Sequence, residues 1–284
     1  MLSGEEYIKK AQKQESKWVW KDHEKIFDYY QSAGKSFKYE KKYELSANAF
    51  MKAGDTAIYL KNTYDAIDSY NESSNMYNKI DDAKNANIMK NIVLKLYLEN
   101  NQLSSAGKIM QDFAEQSVKN YNYNGAIDEY LCAIKYYEAD DKKHSVATCL
   151  MKLAVLYVEV EKYIDAVELY EKMISQYNDG LTKFKVKEYQ FYAFICKLAT
   201  ICSDNIDEQT YECEELLETY SSLNPTFLNS IEYEICNMLL SAVKNQNESE
   251  IDYAVGHIGG RSQINIELLT KITDRLKEQT SSLR

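Results

Sequence analysis

An all-α fold, a stack of antiparallel helical hairpins closed by a C-terminal helical bundle, is what this sequence predicts, and three observations carry the prediction. The 284 residues include one Pro and nine Gly, far below the usual ~12% for the two together, which leaves little material for many-turned β architectures or glycine-rich phosphate loops. Apolar residues make up 45% and charged residues 27%, enough for a sizeable core with a solvated surface. One register with a period of twenty residues repeats from Ile26 to Ala166.

Taken in chain order, Ser3 to Glu15 reads as a short first helix. Lys17-Trp18-Val19-Trp20-Lys21 follows where a connector is expected, and it holds both tryptophans of the chain. Indoles flanked by lysines favour a membrane interface, with rings at headgroup depth and ammonium groups against anionic lipid. A hydrophobic staple closing the first hairpin is the competing reading.

The repeats come next. Position zero is Ile26, Ser46, Ala66, Ala86, Ala106, Ala126, Val146 and Ala166. Four residues on stand Tyr30, Phe50, Tyr70, Lys90, Met110, Tyr130, Leu150 and Tyr170, and eleven on stand Phe37, Ala57, Tyr77, Tyr97, Ser117, Tyr137, Tyr157 and Tyr177. Offsets of 0, 4 and 11 share one face of an α-helix, so each unit is one amphipathic helix. A spacing of twenty leaves about 14 to 16 helical residues and a short link, which makes neighbours antiparallel. The structural repeat is then a pair of helices, and the predicted fold is a right-handed, TPR-like stack forming a twisted sheet with two broad faces. Small residues at position zero let helices approach closely, and the tyrosine stripe is read as core packing.

Beyond residue 180 the register fails. Asn178-Asp179-Gly180, Pro225 and Gly259-Gly260 interrupt the chain. A sheet over residues 1–197 and a bundle over 198–284 are expected, with a last helix from Ile264 to Leu276 and a frayed tail behind it.

The formal net charge is −10, which argues against a nucleic-acid partner. Residues 198–243 carry nine acids and no Lys or Arg: Asp204, Asp207, Glu208, Glu212, Glu214, Glu215, Glu218, Glu232 and Glu234. As a block they read as a docking surface for a basic partner. The six cysteines never form a C-x-x-C pair and the three histidines lie far apart, so no metal, cofactor or disulfide framework is expected and the thiols read as buried small hydrophobes. The longest apolar runs fall far short of the ~20 residues that span a bilayer, and the N-terminus lacks the apolar core of a signal peptide. A cytoplasmic chain with peripheral membrane contact and no catalytic motif is the expectation.

Several segments, in order and spacing, carry a resemblance. They are Tyr43 to Phe50, Gly125 to Tyr130 with Tyr136 and Tyr137, Cys149 to Ala154, Tyr163 to Tyr170, Lys187 to Phe191, and the final Leu283-Arg284. Together they resemble the alpha-SNAP family, the soluble attachment proteins that couple SNARE complexes to the AAA ATPase NSF. The resemblance implies a non-enzymatic adaptor for SNARE disassembly in vesicle fusion and membrane trafficking. It implies that Lys108, Lys152 and Lys187 face the SNARE four-helix bundle, that Trp18 and Trp20 lie in a membrane-touching first loop, and that Leu283 helps stimulate the ATPase. A further lysine of that face is Thr148 here. The acidic cluster before the last helices is replaced by Ser241, Lys244 and Asn245, which shifts ATPase recruitment to the acids from Asp204 to Glu218. A gamma-type SNAP and a generic helical-repeat peptide scaffold are the alternatives; the repeats and the C-terminal ending favour the alpha form.

Overall fold

The computed structural model describes residues 2–176, 183–202, 205–257 and 265–282. Among them the chain forms helices α1 (Gly4–Glu15), α2 (His23–Tyr39), α3 (Tyr43–Tyr59), α4 (Thr63–Asn78), α5 (Ala83–Glu99), α6 (Leu103–Lys119), α7 (Tyr123–Ala139), α8 (Lys143–Glu159), α9 (Tyr163–Gln176), α10 (Lys183–Leu198), α11 (Ile206–Leu223), α12 (Pro225–Leu228), α13 (Ile231–Lys244), α14 (Glu248–His257) and α15 (Ile266–Ser282), and no strand. The fold is all-α, and α2 to α9 are the eight sequence repeats. The turns expected at 178–180 and 259–260, together with Asp204, Ile264 and Leu283, lie outside the described residues.

The repeat helices are mostly 17 residues long, longer than the spacing alone implied, because the chain reverses in only three or four residues. Each reversal contains one residue in the left-handed region: Lys41, Lys61, Asp81, Asn101, Tyr121, Asp141 and Glu161, with φ between 51° and 59°. The next amide then donates back to the carbonyl five residues earlier. Lys42 donates to Phe37 at 2.9 Å, Asn62 to Ala57 at 2.9 Å, Asp82 to Tyr77 at 3.0 Å and Gln102 to Tyr97 at 2.8 Å, and the pattern continues through Asn122, Lys142 and Lys162. This is the Schellman arrangement, which satisfies the last helical carbonyls. The carbonyl of the same residue accepts from the amide of the fourth residue of the next helix, as Lys42 does from Ser46 at 2.9 Å and Asn62 from Ala66 at 3.1 Å. The period of twenty is a helix plus this reversal.

Two compact units result, Met1–Ile109 and Met110–Arg284. In the first, α1 opens with a capping box between Ser3 and Glu6, and α1 to α5 pack consecutively as antiparallel neighbours. Position-zero Ser46 and Ala66 are fully buried, and the Ser46 hydroxyl is satisfied by donating to the Gly34 carbonyl at 2.8 Å. A Cβ at Gly34 would stand 2.8 Å from the Phe50 ring, and one at Gly54 would meet Tyr70 at the same distance. Each ring therefore lies against the bare backbone of the preceding helix. Tyr30 and Tyr70 are buried, but their hydroxyls donate to Glu15 at 2.9 Å and to Asp55 at 2.7 Å. The stripe is core packing, and at Tyr30 and Tyr70 the ring has a polar exit.

In the second unit one contiguous core runs from Ala114 to Leu276. Helix α10 packs on α9 on one side and on α11, α13 and α15 on the other, while α15 also reaches α8. Helix α10 therefore belongs to both layers. Helix α15 continues through residue 282, where the sequence reading ended the helix at Leu276 and left a frayed tail. Its last turns are anchored: Gln279 Nε2 donates to the carbonyls of Ala199 and Ile201 at 2.8 Å each, and Lys277 pairs with Asp252 at 2.5 Å. The thiols of Cys149, Cys196, Cys213 and Cys236 are buried as expected, but Cys202, four residues beyond α10, is exposed.

Candidate interaction sites

The loop between α1 and α2 is pinned at its end and bare in its middle. Asp22 caps α2 by accepting from the Lys25 amide at 3.1 Å and pairs with the Lys25 ammonium at 2.7 Å, and both interactions hold its carboxyl below the usual range. His23 stacks on Tyr59 with ring centroids 4.1 Å apart. Ahead of these anchors Lys17, Trp18, Val19, Trp20 and Lys21 are all exposed, Trp18 at 97% and Trp20 at 89%. A staple requires covered rings, so the loop does not close the first hairpin by packing. Trp20 adopts a left-handed backbone, φ 63°, uncommon for a bulky residue. Covering both indoles would remove roughly 150–250 Å² of surface each, on the order of 4–6 kcal/mol per ring.

The three predicted lysines are dispersed over both units. Lys108 lies on α6 in the first unit. In the second unit Lys152 of α8 pairs with Glu115 of α6 at 2.6 Å, and Gln111 holds the same carboxylate oxygen at 2.9 Å. Lys187 of α10 pairs with Glu232 of α13 at 3.2 Å, and that carboxylate is only 7% exposed. Beside it Glu188 has its carboxyl raised, by burial first and by the charge of Glu232 in addition, against the lowering effect of Lys185. Lys152 and Lys187 thus carry internal carboxylate partners that sequence reasoning did not find. Their separations, 37 and 45 residues, bracket the helix-pair repeat, and that spacing was the available signal. Thr148 turns its hydroxyl inward onto the His144 carbonyl at 2.9 Å.

The acidic block divides into spent and open carboxylates. Glu212 pairs with Lys197 at 3.0 Å, Glu232 with Lys187, and Glu214 with Lys244. Among the described residues, Asp207, Glu208, Glu215 and Glu218 are exposed on α11 and pair with no cation. The carboxylate of Glu215, one helical turn on, raises the Tyr211 phenol above its ordinary value. Tyr211, Glu214, Glu215 and Glu218 line a shallow recess with Tyr233 and Asn237. Among the described residues no group of three His, Cys, Asp or Glu could hold a metal ion, and no helix is long and apolar enough to cross a membrane.

Stacked antiparallel helices that display an indole loop, half-paired lysines and an acidic helix define a helical-repeat interaction protein. Comparison with known proteins specifies which. The profile of the family described as "Soluble NSF attachment protein, SNAP" matches residues 2–276, and the chain belongs to that family. It is 26% identical to the alpha-soluble NSF attachment protein of Vitis vinifera over 96% of this chain and 94% of that one. It is 26% identical to the beta-soluble NSF attachment protein of Bos taurus, over 90% and 83% of the two chains. The vesicular-fusion protein SEC17 of Komagataella phaffii is 25% identical, over 90% and 86%. The yeast Tom70 crystal structure overlays 99% of this chain and 64% of its own at 15% identity, with a TM-score of 0.26 that adds nothing to the fold assignment.

Proposed function

We propose that this chain is a non-enzymatic adaptor that binds SNARE complexes and presents them to the ATPase NSF for disassembly in vesicle fusion. The observation that carries the reading is the family match over residues 2–276, covering all three candidate surfaces except Leu283. In this reading residues 1–197 grip the acidic SNARE bundle through Lys108, Lys152 and Lys187. Lys17 to Lys21 hold the complex at the bilayer by peripheral contact, which the bare indoles support. Residues 198–284 meet the ATPase through the acids of α11, with Leu283 promoting hydrolysis. Glu214 is drawn to Lys244, so the recruiting charge rests on Asp207, Glu208, Glu215 and Glu218, joined by Asp204. Many weak charge contacts along a rod make binding sensitive to salt, and several copies on one bundle add avidity.

The test is disassembly of a purified SNARE complex by NSF on liposomes, with and without this chain. The expected result is disassembly that depends on the chain, and disassembly independent of it would remove the adaptor role. Glu215→Lys with Glu218→Lys is expected to lower ATPase association while leaving SNARE binding intact. Unchanged ATPase association would move the recruiting surface off α11.

A further inference from the structure

Helices α6 and α8 flank an open recess of about 460 Å³, within the ~300–1,000 Å³ range of ligand pockets. Its deep residues, Tyr130 of α7 and Leu156 of α8, are buried core side chains. Its walls are Val118, Met151 and Val155, all half-buried. At the rim stand Lys119, which is exposed and has no ion pair among the described residues, and the ion pair of Lys152 with Glu115.

The repeat supplies an internal control for these walls. Two hairpins earlier in the chain, the residues equivalent to Tyr130 and Leu156 are Phe50 and Met76, both buried and apolar. The residues equivalent to Val118, Met151 and Val155 are Lys38, Asn71 and Asn75. Between these two hairpins the deep positions stay apolar while the walls do not, and the hairpin that separates them has Lys90 and Gln116 at the deep positions. The ion pair differs as well, in the sign on its second helix and in the position of its partner. Glu72 occupies the position of Lys152 and pairs with Lys38 at 2.6 Å, so each groove is bridged by one pair, but only the later one presents a cation on its second helix beside an apolar depression.

We propose that this recess is a receptor for one turn of an acidic amphipathic helix, taking an apolar side chain between α6 and α8 while a neighbouring carboxylate displaces Glu115 from Lys152. The proposal deepens the adaptor reading and rests on it for the occupant, a helix of the SNARE bundle. Charge complementarity selects that occupant: the rim offers two ammonium groups and a single carboxylate, and Gln111 Nε2 stays bonded to that carboxylate at 2.9 Å when Lys152 turns away. Glu115 is then a specificity-determining residue. It keeps Lys152 paired in the unbound chain and sets a threshold that weakly acidic helices do not cross.

The experiment measures association of the full chain with a purified, fluorescently labelled SNARE four-helix bundle in solution. Glu115→Gln retains an oxygen to accept from Gln111 and frees Lys152. It should tighten binding about threefold, the scale of releasing one half-exposed ion pair. Val155→Asn, which installs the residue of the earlier hairpin, should weaken binding about fivefold from lost apolar burial, by more than the accompanying change in thermal midpoint accounts for, since Val155 also touches the core. Lys152→Ala should weaken it too. Glu115→Gln that is neutral or weaker, with Lys152→Ala still weakening, would overturn the receptor and leave the adaptor reading standing. Unchanged binding in Lys152→Ala and Lys187→Ala alike would strike the reading itself. Growth in mass of the Glu115→Gln chain alone by light scattering, with unchanged SNARE affinity, would assign the recess to a second copy and overturn the proposal.

Discussion

Lys61→Gly should make this protein more stable. Lys61 has φ 59° in the reversal between α3 and α4, is exposed, and has no ion pair among the described residues, so the substitution removes a backbone penalty and no contact. An L-residue in the left-handed region is disfavoured by roughly 1–2 kcal/mol, and the extra freedom glycine loses on folding returns about 0.5–1 kcal/mol of that. The net gain is about 0.5–1 kcal/mol, read as a higher urea midpoint in far-ultraviolet circular dichroism. Asn101→Gly, at φ 56°, should gain less, because asparagine enters this region more readily. Lys61→Val should lose stability, since a β-branched side chain is the least tolerated there. Loss of stability in Lys61→Gly, or equal midpoints for the Gly and Val variants, would refute the assignment of the period to Schellman reversals.

Three further outcomes are expected. Trp18→Ala with Trp20→Ala should leave the thermal midpoint within about 0.5 kcal/mol of the parent, since both rings are bare, while flotation with anionic liposomes falls; undiminished flotation would remove the loop from the membrane. Lys187→Ala should lower stability by about 1–3 kcal/mol, because the buried Glu232 carboxylate is left without its cation, and adding Glu232→Gln should restore part of it in denaturant titrations. Alkali should unfold the second unit cooperatively. Burial raises Tyr137 and Tyr192 from 10.0 to about 12, so the folded state favours the neutral phenol. That stability is fully present below pH 10 and is lost as pH rises from 10 towards 12. The tyrosinate signal of these buried phenols should therefore appear only as helical ellipticity is lost.

The open carboxylates of α11 and the internal partners of the lysines change how binding variants are to be read. Lys187→Ala alters stability as well as charge, whereas Glu115→Gln and Val155→Asn act at half-exposed positions. A drop in SNARE affinity therefore identifies a contact only when the thermal midpoint is measured beside it.

Local order in this protein was readable from residue order. Offsets of 0, 4 and 11 select one helical face whatever the partner, so Ala66, Tyr70 and Tyr77 were bound to be buried, and a spacing of twenty left room for nothing but one helix and a tight link. The reversals themselves were not legible, because the residues at their left-handed positions are Lys, Asp, Asn, Tyr and Glu, and no glycine marks them. Nor did the tail show its anchor: Gln279 bonds to carbonyls almost eighty residues away, a partnership set by packing. Net charge followed from composition, but which acids remain free depended on Lys244 and Lys197 reaching Glu214 and Glu212 across helices. Periodicity belongs to the chain because a helix repeats its own geometry. Pairing between distant side chains belongs to the fold because only the stacking of helices brings their charges within a few ångströms.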